Sequence, residues 1–116
     1  MTLSVRYSNS PDDTNGERVI YLDQRFYEAI YRNCRSAEGP FPVLRTLALT
    51  RYKSNYPYFS VEQMPGAIAE LELLESSGIS HPQIADFKSV CGKALERGCG
   101  LYVTGDMYPE LWKTEP

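Results

Sequence analysis

Residues 2–8 alternate in polarity. Leu3, Val5 and Tyr7 fall on one side of an extended chain, and Ser4 and Arg6 on the other. A period of two predicts a half-buried β-strand. The following stretch, Asn9 to Gly16, is dense in turn formers and ends in Asn15-Gly16. Arg18 to Leu22, RVIYL, then reads as a second strand, so the two predict a β-hairpin with a long, mobile tip.

Beyond Asp23, a natural helix cap, the apolar period changes to that of a helix. Over 24–36, Phe26, Tyr27, Ala29, Ile30, Tyr31 and Cys34 share one broad side, with Arg25, Glu28, Arg32 and Arg35 opposite. Pro42 can open a short second helix reaching about Arg51, with Leu44, Leu47 and Ala48 inward. Ser60 and Gln63 have capping-box spacing, but Pro65 places the start of the continuous third helix near itself, after a preliminary turn. That helix runs to about Ser77. Met64, Ala67, Ile68, Leu71 and Leu74 form its main stripe, and Ala69 and Leu73 a second one, the pattern of a central helix. Glu75 projects into the main stripe at the last turn, where it reaches water at the rim. Ser80 and Gln83 repeat the capping-box spacing before a fourth helix, 81–97. Its stripe is Ile84, Phe87, Val90, Cys91, Ala94 and Leu95, and Gly98 is placed to stop it. Residues 101–104, LYVT, read as a third strand, followed by the tail MYPELWKTEP. The expected fold is a single α+β domain over residues 1–116, with about four helices on a small three-stranded antiparallel sheet. Strand order is not readable from the pattern.

Composition adds limits. With 116 residues the chain is long enough to bury a core without disulfide or metal staples. The net charge of −3 hides an asymmetry. Residues 1–56 hold eight Lys/Arg against six Asp/Glu, leaving +2, and residues 57–116 hold four against nine, leaving −5. An acidic second half argues against nucleic acid, which needs a basic footprint, and is compatible with a basic protein partner. Nothing in the chain reads as a membrane span or a signal peptide. The three cysteines include no C-x-x-C pair, which fits a reducing, cytoplasmic setting.

No catalytic or cofactor motif emerges, and neither a cofactor nor a metal is expected. Cys34 and Cys91 lie on helical stripes and read as core. Cys99, between two glycines, reads as more exposed, and a Cys99–His81 dyad would need the fold to bring the two together. His81 itself reads as an exposed first-turn residue. Asp12 to Gly16 lacks the ligand spacing of a calcium loop. Asp106 and Glu110 flank Met107-Tyr108-Pro109 after the last strand, where an Asp can serve chemistry or cap a turn.

The densest feature is aromatic. Tyr52, Tyr56, Tyr58 and Phe59 fall within eight residues, among Arg51, Lys53 and Asn55. Tyr and Arg favour protein contacts because they combine area with a polar end. The alternative is that the rings plug the sheet and lie over the third helix.

The order from Leu47 to Asp106 is a short apolar helix, an R-Y-x-x-x-x-P-Y-F loop, Q-x-x-x-x-x-x-E-L-x-x-L, a helix, and L-Y-V-T-G-D. It resembles small bacterial single-domain proteins, some of them immunity proteins that neutralise a toxin of the same cell. Phe59, Gln63, Glu70, Leu71, Leu74, Gly105 and Asp106 carry the resemblance, over about half the chain. It implies a bacterial cytoplasmic protein with a protein partner, and it transfers no catalytic residue. The leading expectation is thus a non-enzymatic protein-binding domain. It would use Tyr52, Tyr56, Tyr58 and Phe59, with acidic support from Glu70, Glu72, Asp106 and Glu110. One rival is a small enzyme or ligand-binding protein whose site assembles from distant residues such as Glu75, His81, Tyr102 and Asp106. Another is a homo-oligomeric structural protein whose aromatic loop is the self-contact.

Overall fold

The computed structural model of the chain describes residues 3–13, 16–49 and 57–105. The elements are β1 (Leu3–Ser8), β2 (Arg18–Leu22), α1 (Gln24–Cys34), α2 (Pro42–Ala48), β3 (Tyr58–Phe59), α3 (Met64–Ser76), α4 (Pro82–Arg97) and β4 (Gly100–Gly105). Among the described residues the fold is α+β: four α-helices with a four-stranded antiparallel sheet in the order β2-β1-β4-β3. Three strands were expected. The fourth, Tyr58–Phe59, spans only two residues, too few to show a period of two, and exists through its pairing with Leu101 and Tyr102.

The first and last strands of the fold lie side by side at its centre, Val5 opposite Val103 and Tyr7 opposite Leu101. Leu3, Val5, Leu101, Val103, Leu22 and Phe59 are buried and face the helices. α4 packs on β2 and β4, α1 packs with α2, and α3 with α4. Gly100 belongs to β4 for a steric reason. A Cβ there would stand 2.0 Å from the carbonyl oxygen of Phe59, so only glycine lets β3 approach. Gly16 plays the same part in the hairpin, where a Cβ would stand 1.8 Å from the Tyr7 carbonyl oxygen. The described part of the hairpin loop, expected to be mobile, is tied to β1. Ser8 Oγ lies 2.7 Å from the carbonyl oxygens of both Ser10 and Asp13, which share its one proton, and Asn9 N–H donates to Asp13 Oδ2 at 3.0 Å.

The helix punctuation follows the sequence in part. Asp23 Oδ1 accepts from Phe26 N–H at 2.8 Å and caps α1. Val61–Gln63 forms a 3₁₀ turn inside the Ser60–Gln63 capping box, and α3 then opens with Pro65 in its first turn. Gly98, at φ 72°, ends α4 in the left-handed conformation. The second capping box does not form. His81 caps α4, its Nδ1 accepting from Gln83 N–H at 3.0 Å, and the Gln83 side chain turns to β2 instead. His81 is therefore a half-buried cap, edge-on to the Phe26 ring at 5.6 Å, not an exposed first-turn residue. The second apolar stripe of α3 is also corrected. Ala69 is exposed and Leu73 is 38% exposed, because α3 lies in the helical layer with water on that side. Leu95, at the edge of the α4 stripe, is 41% exposed.

Candidate functional site

The aromatic segment divides. Tyr52 and Tyr56 lie outside the described residues. In β3 the strand alternation sends the two remaining rings opposite ways. Phe59, expected at a partner contact, pairs with Leu101 and is 3% exposed, so it lies in the core. Tyr58 pairs with Tyr102 and faces outward, away from the helices.

Register continues that outward position across the sheet. Tyr58 lies opposite Tyr102, Tyr102 opposite Arg6, and Arg6 opposite Arg18. A row of two tyrosines and two arginines thus crosses the outer face from edge to edge. Tyr21, Ser4 and Thr104 form the neighbouring row. Arg6 Nη1 donates to the Gly16 carbonyl at 3.1 Å, which fixes its stem along the hairpin. Arg18 lies 4.7 Å over the Tyr21 ring and also bonds its hydroxyl. The Tyr58 hydroxyl leans toward Gly100: a Cβ on that glycine would meet it at 3.0 Å. Burial holds the Tyr58 phenol above its ordinary range, and the negative charge of Glu62 adds to the effect. The phenol therefore stays neutral and can donate a hydrogen bond at physiological pH.

Of the acidic residues expected beside this surface, the two that are described, Glu70 and Glu72, lie elsewhere. Glu72 is exposed on α3, in the helical layer, whereas Tyr58 belongs to the outer face of the sheet. Asp106 and Glu110 lie outside the described residues. Glu70 is 6% exposed, and its carboxylate reaches across to α2. Oε2 accepts from Val43 N–H at 3.1 Å and Oε1 from Leu44 N–H at 2.8 Å. Phe41, at the cap position of α2, supplies no side-chain bond of its own. Glu70 is thus the missing cap of α2, delivered from another helix, and its charge complements the helix N-terminus. Burial pushes its carboxyl up, and the two amide bonds pull against that shift.

Of the described residues of the rival, catalytic reading, two share a hollow and the third, Tyr102, stands apart from them. Glu75 and His81 line one shallow hollow with Ile79 and Ser80. Glu75 is exposed and bonds Lys88 Nζ at 2.6 Å. His81 Nε2 lies 3.5 Å from Asp23 Oδ1, and its other nitrogen is occupied as a cap. Tyr102 lies on the outer sheet face, and Asp106 is outside the described residues. An interior void of about 10 Å³, room for one water at most, is walled by apolar side chains including Leu44, Met64, Phe87 and Cys91. The thiols are all buried, Cys99 included at 8% exposure, against the expectation for that residue. Burial pushes both Cys34 and Cys91 up to about 12, so neither supplies thiolate. A Cys99–His81 dyad is ruled out by the helix between them. α4 has 16 residues, and a helix of that length separates its flanking residues by about 24 Å.

Sequence reasoning missed Arg6, Arg18 and Tyr102 as one surface. Each was visible as the polar member of an alternating strand, but only the strand order aligns them. No family model, curated protein or solved structure matches the chain.

Proposed function

We propose that this chain is a non-catalytic protein-binding domain that meets its partner through the outer face of its sheet. The observation that carries the reading is the Arg18–Arg6–Tyr102–Tyr58 row. Tyr and Arg supply most of the energy at protein interfaces, because each buries a large flat surface and keeps a directional polar end. Here they stand on strands, whose backbone is ordered before binding, so little conformational freedom is lost on contact. The two guanidinium groups put two positive charges on this face of an acidic chain. The face therefore suits a carboxylate-bearing protein surface, while the acidic residues of α3 and α4 lie in the other layer.

In its finer form the partner is a toxin, and the chain is an immunity-like antagonist in a bacterial cytoplasm. That form rests on the resemblance of Leu47–Asp106 to such proteins. Its test is the identity of the neighbouring genes, where a toxin gene is expected.

The test is recovery of the partner from the native cell, followed by titration of the purified pair. Tyr102→Ala and Arg6→Glu are each expected to weaken binding about tenfold or more, while Glu72→Lys, in the helical layer, leaves it unchanged. A partner held equally by wild type, Tyr102→Ala and Arg6→Glu refutes the site. A partner lost only with Glu72→Lys moves it to α3.

A further inference from the structure

The structure assigns the Gln83 side chain as a guard on the open edge of the sheet. Among the described residues β2 is an edge strand, paired with β1 on one side only. An edge strand carries a row of N–H and C=O groups that a further strand can take up, from another protein or from a second copy of the same chain. At the C-terminal end of β2 such a pairing site is already occupied. Gln83 Nε2 donates to the Tyr21 carbonyl at 2.6 Å, and Gln83 Oε1 accepts from Asp23 N–H at 2.8 Å. These two backbone groups flank Leu22, which pairs with Leu3 of β1. They point to the side away from β1, and they form the pair that one residue of an added parallel strand, or the two residues flanking the opposed one in an antiparallel strand, would engage. The side-chain amide has the same donor and acceptor as a peptide group, so it stands in for that strand.

Two other features act in the same sense. Val5 pairs with Ile20 and Arg6 with Arg18, which leaves Val19 as the extra residue of a bulge. A bulge twists an edge away from a flat pairing partner. Arg18, stacked on Tyr21, puts a cation at that end of the edge. Gln83 holds the other end and also ties α4 to the start of α1. This explains why the Ser80–Gln83 spacing does not close a capping box: the amide is engaged 62 residues away in sequence, at Tyr21. The occupant kept out is β2 of a second copy, the strand present at the highest local concentration whenever chains meet.

Sedimentation of the whole chain over a wide concentration range tests the assignment. Wild type is expected to sediment as one species that does not change through this edge. Gln83→Ala uncovers two backbone groups, and self-association is expected to tighten on the order of tenfold, the effect of about two hydrogen bonds regained between copies. Adding Tyr21→Lys, a charge on the same edge strand, is expected to restore the wild-type behaviour. A folded Gln83→Ala that associates no more than wild type overturns the assignment. Association that Tyr21→Lys leaves untouched overturns it as well. Should Gln83→Ala fail to fold, Gln83→Asn, one methylene too short to span both groups, is read by amide hydrogen exchange. Exchange at Asp23 is expected to speed up about tenfold while the centre of α4 keeps its protection. Unchanged protection at Asp23 overturns the assignment.

Discussion

Replacing Glu70 tests the central packing claim, that a carboxylate on α3 holds the N-terminus of α2. In Glu70→Ala the amides of Val43 and Leu44 lose their acceptor in a place where water has little access, since Glu70 is 6% exposed. An orphaned buried amide costs about 1–3 kcal/mol, and loss of a cap alone about 1 kcal/mol. Together they give a destabilisation of about 3 kcal/mol, or a fall in melting temperature of roughly 10 °C for a domain of this size. Glu70→Gln keeps one acceptor and turns an NH₂ toward the other amide, so its cost is about half as large. Glu72→Gln, two residues on and exposed on the other side of the same helix, is expected to stay within about 0.5 kcal/mol of wild type.

Urea titration of the three variants, with a shared slope and shifted midpoints, separates these values. The pH dependence supplies an independent check. Burial raises the Glu70 carboxyl above its unfolded value of 4.5, the two amide bonds opposing but not cancelling it. A raised folded value means that the folded state keeps the proton longer than the unfolded state. This group's contribution is thus fully present below 4.5 and is lost as pH rises through the folded value. Glu70→Gln removes that slope. If Glu70→Gln matches wild type in midpoint and keeps the same pH slope, Glu70 does not anchor α2.

Two further outcomes follow from close contacts. Gly100→Ala places a Cβ 2.0 Å from the Phe59 carbonyl oxygen and 3.0 Å from the Tyr58 hydroxyl; it is expected to cost about 3 kcal/mol and to release β3, read by thermal melting and by faster exchange at Val103, whose N–H bonds the Pro57 carbonyl at 3.1 Å. The thiols of Cys34 and Cys91, pushed up to about 12 by burial, are expected to react with a disulfide reagent at neutral pH only as fast as the domain unfolds, while denatured chain titrates three thiols at once; rapid labelling of both in folded protein would contradict their burial.

Most of the fold was legible where one face of an element is apolar and the other polar. The α1 residues Phe26, Tyr27, Ile30 and Cys34 and the α4 residues Ile84, Phe87, Val90, Cys91 and Ala94 are buried as their spacing predicts. The pattern failed where a residue's chemistry and its position disagree. Glu70 stands three residues after Ala67 and four before Leu74, both buried, so its position was on the core stripe all along. Its charge alone sent it to the surface. The core tolerates it because α2 begins with Pro42 after Phe41, neither of which offers a side-chain acceptor, and so leaves amides in need of one. A charged residue at a stripe position, opposite a helix start that lacks Ser, Thr, Asp or Asn, is the signal that would have found it.

The candidate surface was legible only as separate letters. Period two sent Arg6 outward from Leu3, Val5 and Tyr7, and would have sent Tyr102 outward from Leu101 and Val103. Nothing local joins residue 6 to residue 102, because that contact is made by pairing the two ends of the described chain. Once β1 and β4 lie side by side, register alone decides what faces what. A slip of β1 by one residue would turn Arg6 to the core and Val5 to water, and a slip of β4 would do the same to Tyr102 and Val103, each at a cost of several buried side chains. The hydrophobic core therefore fixes the polar row. Leu3, Val5, Leu101 and Val103 select the register, and the register aligns Arg18, Arg6, Tyr102 and Tyr58 on the opposite face. The surface is a consequence of packing beneath it, which is why Gly100, buried and without a side chain, controls the placement of Tyr58 as firmly as any residue that a partner could touch.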